Sequence, residues 1–598
     1  MNFDHPYNNV HQLQASQSRR IERWAYIYIT VTLLGFGALL GRVVQLKLAP
    51  DPRLPKAVEV STSSRIQLAR RGQLLDKQGR IMAITTIGHR LFVDPQVVED
   101  ITTIATDLGR VIGSEPVDID RIIHQRIDSR YVVIEPLLEA GKVQAVRDAN
   151  LAGVGLEPVQ VRHYPNGELA AGVIGMVGFE HTGLAGLEYL FDEYLEPLNG
   201  NLTYLRDVRR QALWFDPEEY QPGRDGDDAR MSIDLVIQDI AEMRIREAVA
   251  DHHAGGVRAV VLDVHTGEIL AMCDVLNPRP GWDEQTEDPL RLIDRRLGRN
   301  RCVTDPYEPG STFKGFVWAV ATELGRADPD EVLDTPDGIP YRTSKGRRIR
   351  DSFYYGKSSW RKVLIKSMNS GMAIVAERMT DREMQSVISR FGFGEKTWCG
   401  LPGETAGIVT KPEDWTHYTQ TSVAMGHEIA VTPMQMVRAF SVFARDGTIP
   451  SLRITAADPG AQEFRIVHRV LSKKIALTTR EALRRVMTEG SGREAQSAKY
   501  QMFGKSGTAQ LPKREGGGYH EDRYVSSFIA GAPFTDPRIV VVVVIDDPDK
   551  QFNSHWGGRI AGPVVRDIVD QTLEYLGVAA DQPGYREVFA QANQASSE

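Results

Sequence analysis

The chain has 598 residues, 42% of them hydrophobic and 25% charged, which is too long for one ordinary core and too apolar for wholesale disorder. A net charge of −8 with no long basic run argues against a nucleic-acid partner held by phosphate neutralisation. The three cysteines Cys273, Cys302 and Cys399 have no metal-ligand spacing, which excludes a disulfide framework and a cysteine zinc site; no cofactor or metal is expected.

Residues 1–18 are polar and read as a disordered tail. From Trp24 to Gly41 no residue is charged, and the run extends to Leu46 if Arg42 reaches for the interface. At a rise of ~1.5 Å per residue, the helix 24–46 spans about 34 Å, enough to cross the hydrocarbon core of a membrane. Arg19, Arg20 and Arg23 precede it, so the positive-inside bias places residues 1–23 in the cytoplasm and the rest outside. A cleaved signal peptide is the competing reading, but the flank after Gly41 lacks a small-x-small cleavage site. Asp51-Pro52-Arg53-Leu54-Pro55 makes a stiff exit.

Between 47 and 228 short apolar alternations, such as Arg90–Val93 and Tyr131–Ile134, predict an elongated α+β region. The turn-rich stretch Gln221–Asp228 predicts a boundary. Ile237, Ile240, Ala241, Ile245, Ala248 and Val249 then recur at helical spacing. Val257–Val264 and Glu268–Val275 read as a hairpin joined by His265-Thr266-Gly267. The β-branched run Ile539–Ile545 predicts a strand covered on both faces. Helical periodicity over 563–576 follows, and the chain from 578 reads as a loose tail. Helices packed on a sheet are expected over 229–577.

The chemistry is carried by three short motifs. In Tyr307-Glu308-Pro309-Gly310-Ser311-Thr312-Phe313-Lys314, Pro-Gly breaks the chain and puts Ser311 at the start of an apolar helix. A spacing of three brings Lys314 onto the face of Ser311, where an amine whose pKa is lowered could take the hydroxyl proton. Alone, Ser-x-x-Lys is an ordinary helix cap with a surface lysine. Ser367-Met368-Asn369 sets two short polar groups on one side of a turn, and by itself is also ordinary. In Gly504-Lys505-Ser506-Gly507-Thr508, strand alternation turns Lys505 and Gly507 one way and Ser506 the other, and the glycine admits a ligand backbone. The three in this order form a specific signal.

On these motifs the sequence resembles the penicillin-binding, serine D,D-peptidase family. The likeness extends to Ser232-Ile233-Asp234 with Gln238, Thr266–Met272 and Thr432-Pro433-Met434-Gln435. Ahead of that domain, Arg71–Asp76 with Gly79, Arg162–Pro165 and Gly183–Glu188 resemble the pedestal motifs of class B members. The resemblance implies a cytoplasmic tail (1–23), a single membrane anchor (24–46), a pedestal or dimerisation domain (47–228) and a β-lactamase-like transpeptidase domain (229–577) with an antiparallel sheet flanked by helices, followed by a flexible tail (578–598).

It further implies that Ser311 attacks the D-Ala-D-Ala end of a peptidoglycan stem peptide, with Lys314 as base, Ser367 as proton relay and Asn369 holding the substrate amide. Lys505, Ser506 and Thr508 would bind the terminal carboxylate, Gly507 would admit the peptide, and the Ser311 and Thr508 amides would form the oxyanion hole. β-Lactams would acylate the same serine. Ile339–Arg342, Ile349-Arg350-Asp351 and Ser422–His427 resemble the division type more than the elongation type, so a SEDS-type glycan polymerase and divisome proteins are implied as partners at the plasma membrane. A D,D-carboxypeptidase, β-lactamase or β-lactam sensor of the same fold is the alternative. His427, Trp398 and Cys302 read as packing residues.

Overall fold

In the computed structural model, which describes residues 7–49, 62–206, 212–215, 220–277, 288–457, 468–513, 517–551 and 554–584, the chain opens on helix α1 (Tyr7–Leu48). The helix begins well before the apolar run, so residues 7–18 are helical rather than the disordered tail expected above. The reason is cooperativity: Gln12, Leu13, Gln14, Ala15 and Gln17 are good helix formers, no glycine or proline interrupts the stretch, and extending an existing helix costs far less than starting one. From Arg20 to Ala49 every residue is exposed, among them Leu33, Leu34, Phe36 and Leu40. Its 29-residue apolar part, Arg20–Leu48, fits a single-pass membrane anchor. The Asp51–Pro55 exit lies outside the described residues.

The chain divides into two compact units, Met1–Gln67 with Asn199–Arg224, and Leu68–Leu198 with Asp225–Glu598. Besides α1, the first holds a three-stranded sheet of β1 (Thr62–Gln67), β6 (Gly200–Arg206) and β7 (Ala212–Phe215), with β6 central. The second unit begins with β2 (Leu74–Leu75), β3 (Ile81–Val93), β4 (Val132–Leu138), β5 (Val154–His163) and β8 (Ala229–Arg230). Here β3 pairs with β2, β4 and β5. One core of this sheet closes over the helices Ile101–Ile112 and Pro116–His124 through Leu91, Val93, Leu108 and Ile123.

Three of the pedestal motifs meet in one buried knot. Glu188 accepts from Arg71 (2.9 Å) and Arg162 (2.8 Å), and Arg71 also reaches Asp192 (2.7 Å). Arg80 joins Asp76 to Asp234 (2.6 Å to Asp234). Asp234 in turn caps the next helix, α2 (Leu235–Asp251), by accepting from Val236 N–H.

The transpeptidase-like part is built on β9 (Gly256–Asp263), β10 (Ile269–Leu276), β11 (Phe503–Pro512), β12 (Tyr519–Ala532) and β13 (Ile539–Asp546). They form one antiparallel sheet in the order β10-β9-β13-β12-β11. Two cores explain why β13 is continuously β-branched. Val541, Val543 and Ile545 enter a core shared with Ile237, Ile245, Ile560 and Ile568, whereas Val540, Val542 and Val544 enter the other, with Phe316, Phe440 and Phe443. Period-two alternation serves both faces at once. A buried ion network ties one end of β10, β9 and β13: Arg258 and Arg301 clasp Asp546 (2.6 and 2.8 Å), and Arg301 holds Asp274 (2.7 Å).

The C-terminal stretch from 578 is not loose where it is described. Asp581 accepts the Gln501 N–H (2.6 Å), and Tyr500 donates to the Val578 carbonyl (2.9 Å). Residues 585–598 lie outside the described residues. Cys302 is packing, as expected: it is buried at the sheet, and burial pushes its thiol pKa up. Trp398 is not packing. It sits at φ +59° with 79% of its surface exposed, because its N–H and that of Thr397 are drawn in by the Glu404 carboxylate.

Candidate active site

Ser311 lies in a single 3-10 turn, Gly310–Phe313, which runs straight into the helix Lys314–Glu323. The turn is fixed from both sides. Gly310 adopts φ +53° and donates its N–H to the Gly426 carbonyl (3.0 Å), and the Thr312 hydroxyl donates to the Pro309 carbonyl (2.8 Å). Phe313, Phe316 and Trp318 are fully buried, so the helix cannot rock without opening the core. Ser311 itself remains part-exposed at the mouth of the site.

Lys314 is the first residue of that helix and is fully buried. Its ammonium donates to the Ser367 carbonyl (2.7 Å), Asn369 Oδ1 (2.5 Å) and Ser367 Oγ (3.4 Å). The first two motifs are therefore joined through one amine. Burial lowers the Lys314 pKa from 10.5 to about 7, with Asp351 pulling it the other way. A half-neutral amine at physiological pH is what a general base requires. Ser367 holds φ +57°, a strained conformation for a residue with a Cβ, and such strain gathers where a side chain must be aimed.

The Ser-x-Asn turn is anchored by an acid that sequence reasoning took only as a subtype mark. Asp351 accepts the Asn369 N–H, the Ser370 N–H (3.0 Å) and the Ser370 hydroxyl. It thereby caps the helix Asn369–Ala376. Asn369 Nδ2 donates to the Arg350 carbonyl (2.9 Å), which fixes the amide so that Oδ1 faces Lys314.

The third motif lies on β11, the edge strand, which presses on the nucleophile turn. A Cβ on Gly507 would sit 2.6 Å from the Pro309 carbonyl oxygen, and one on Gly310 would sit 3.2 Å from that of Thr508. Gly507 is thus required for the close approach. Lys505 is fully buried and donates to the Ser506 carbonyl (3.0 Å). Burial and the neighbouring Lys314 hold its pKa well below the ordinary lysine value. Among the described residues no carboxylate pairs with Lys505.

Ser506 and Thr508 point to the opposite face of β11, as alternation requires. Ser506 Oγ shares a hydrogen bond with Ser491 Oγ (2.6 Å), and Thr508 Oγ1 accepts the N–H of Gly557 (3.0 Å). Gly557 opens the long C-terminal helix Gly557–Tyr575. Because the Thr508 oxygen already accepts, its hydrogen is available to a ligand. Neither Ser491 nor Gly557 stands in a motif; only the fold brings them here.

The match to family models settles the class. Residues 257–570 match the penicillin-binding protein transpeptidase domain and residues 66–231 the penicillin-binding protein dimerisation domain. The chain belongs to the penicillin-binding protein transpeptidase family. With a dimerisation domain ahead of the catalytic one, it is a class B penicillin-binding protein, a serine D,D-transpeptidase.

Relatives agree over nearly the whole length. Stage V sporulation protein D of Bacillus subtilis is 30% identical, covering 85% of this chain and 78% of its own. Peptidoglycan D,D-transpeptidase FtsI of Escherichia coli is 29% identical, covering 92% and 91%. Among solved structures, penicillin-binding protein 3 of Mycobacterium tuberculosis in complex with aztreonam superposes with a TM-score of 0.63 at 25% identity, over 87% of this chain and 99% of that one. A peptidoglycan synthetase from Bifidobacterium adolescentis does so with a TM-score of 0.67 at 25% identity, over 87% and 98%.

Proposed function

We propose that this class B penicillin-binding protein cross-links peptidoglycan stem peptides through an acyl-enzyme on Ser311. Lys314 takes the Ser311 proton as the hydroxyl attacks the D-Ala-D-Ala carbonyl, and Ser367 relays it to the departing D-alanine amine. Asn369 holds the donor's amide. The Ser311 and Thr508 N–H groups receive the oxyanion, an arrangement that stabilises such transition states by several kcal/mol. The terminal carboxylate lies along the open edge of β11, where Lys505 from one face and the Ser506 and Thr508 hydroxyls from the other bind it, and Gly507 lets the peptide lie close. An amine of a second stem peptide then displaces Ser311. β-Lactams enter as mimics of the D-Ala-D-Ala end.

The observation that carries this reading is the pairing of two fully buried lysines, Lys314 and Lys505, beside the turn that carries Ser311. A buried cation without a carboxylate partner is costly unless a ligand supplies the anion, and the substrate's C-terminus does so. Fluorescent penicillin should label the full chain covalently and leave Ser311→Ala unlabelled; equal labelling of the two overturns the nucleophile assignment.

The finer reading is septal synthesis, with residues 1–23 cytoplasmic, the anchor at 24–46, the pedestal at 47–228 and the transpeptidase domain at 229–577 outside the cytoplasm, and a SEDS-type polymerase and divisome proteins as partners. Similarity to FtsI over most of both chains supports it. Depletion should give filaments, whereas round cells would point to elongation.

A further inference from the structure

A second cluster of titratable groups adjoins the nucleophile turn and has no part in the scheme above. Glu308 precedes Ser311 by three residues, and His427 follows Gly426, the residue whose carbonyl binds Gly310 N–H. A Cβ on Gly426 would lie 2.0 Å from the Gly310 oxygen, so the 426–427 turn is pressed directly on the nucleophile turn. His427 Nδ1 lies 2.9 Å from Glu308 Oε2. The other carboxylate oxygen accepts the Tyr519 hydroxyl (2.9 Å) and the Glu428 N–H (3.0 Å).

A carboxylate held by three such donors only accepts, so Nδ1 carries the hydrogen and Nε2 presents a lone pair. The side chain of Glu308 is 12% exposed and that of His427 31%. The carboxylate is sheltered while the ring opens to solvent. Tyr519, on the hairpin beyond the Lys505 strand, stands edge-on to the ring with centroids 6.0 Å apart, and this aromatic wall limits the ring's rotation. A sheltered orienting acid and an Nε2 that the acid leaves free are the parts of a general base.

We propose that the Glu308–His427 dyad is the base of the second half-reaction, accepting the proton of the acceptor amine as it attacks the Ser311 ester. This rests on the acyl-enzyme reading above. The amine nitrogen forms a bond to the acyl carbon and gives one proton to His427 Nε2. The carbon–Oγ bond breaks, and Ser311 Oγ takes a proton from the Lys314 ammonium. Imidazolium and lysine then re-equilibrate through solvent, so the net transfer is one proton from nitrogen to Ser311. Two bases divide the cycle: Lys314 opens it and His427 closes it.

The test separates the two halves on the full chain in detergent. Acylation is followed with fluorescent penicillin, and transfer with an acyl-D-alanyl thioester as donor and D-alanine as the acceptor amine. His427→Gln should lower transfer at least about tenfold more than acylation, in line with a lost general base. Glu308→Gln should act in the same sense, since an amide facing Nδ1 can donate and reverse the tautomer. The charged and titratable groups around the ring are Glu308, Glu428, Tyr519 and, from the loop bonded to Ser422, Arg347.

Parallel losses in acylation and transfer would make the cluster a structural latch and overturn the proposal, as would a variant that keeps wild-type transfer. Labelling of Ser311→Ala would remove the acyl-enzyme itself, a failure distinct from these.

Discussion

Lys314 should impose a pH limb on acylation. Its amine is fully buried and its pKa falls from 10.5 to about 7. That difference corresponds to ~5 kcal/mol against the ammonium. At pH 7 about half the molecules then hold a neutral amine, against roughly one in three thousand for an unshifted lysine. Between about pH 6 and pH 8 the neutral fraction climbs from about one tenth to nine tenths, so the acylation rate should rise about tenfold and then level. The assay is a quenched time course of fluorescent penicillin labelling, with thermal unfolding followed at each pH. A rate that is flat or falling over this window would refute Lys314 as the base. The sign for stability follows from the same shift. The folded pKa lies below the unfolded one, so the penalty for charging Lys314 is fully present below about pH 7 and is relieved as the pH rises towards 10.5. Lys314→Met should therefore gain stability relative to the wild type as the pH is lowered.

Asp351→Asn removes the charge that favours the Lys314 ammonium and weakens the anchor of Asn369 and Ser370. The pH limb should move to lower pH and the plateau should drop about tenfold or more; an unaltered profile would show that Asp351 neither tunes nor positions. Gly426→Ala places a methyl at φ +83° and 2.0 Å from the Gly310 oxygen, so acylation should fall about a hundredfold through displacement of the nucleophile turn. Wild-type labelling kinetics would contradict this contact. Glu188→Ala leaves the buried Arg71 and Arg162 without their shared acid and should cost ~3–5 kcal/mol, read as a lower Tm. A Tm within error of the wild type would sink that account.

Much of the catalytic fold was legible because its signals are local. The unbroken β-branched run Ile539–Ile545, the turn at His265-Thr266-Gly267 and the helical period through Ile237 and Ile245 are each read within a dozen residues or so. The same locality misled at the termini. Residues 7–18 are polar, but polarity does not oppose a helix that a neighbouring apolar span has already nucleated. The stretch from 578 looked loose because its partners, Gln501 and Tyr500, lie some eighty residues away in sequence.

The site divides along the same line. Ser311 and Lys314 could be paired from a spacing of three, and the order of the motifs supplied Ser367, Asn369 and Lys505. The residues that make those groups work come from elsewhere. Asp351 anchors a turn that begins at Asn369, Ser491 meets Ser506 from the end of a separate helix, and His427 finds Glu308 across more than a hundred residues. A short polar residue in a loop has no periodicity to betray it. Its role exists only when tertiary contact exposes it to one partner and shields it from water. The sequence could therefore name the groups that touch a substrate, while the groups that set their pKa, tautomer and direction became visible only when the nucleophile turn was seen wedged between β11 on one side and Gly426 on the other. That wedge is also why activity here should be more sensitive to small volume changes at Gly310, Gly426 and Gly507 than to loss of any one surface charge: Gly426 and Gly507 hold contacts closer than a Cβ permits, and Gly310 sits at a positive φ.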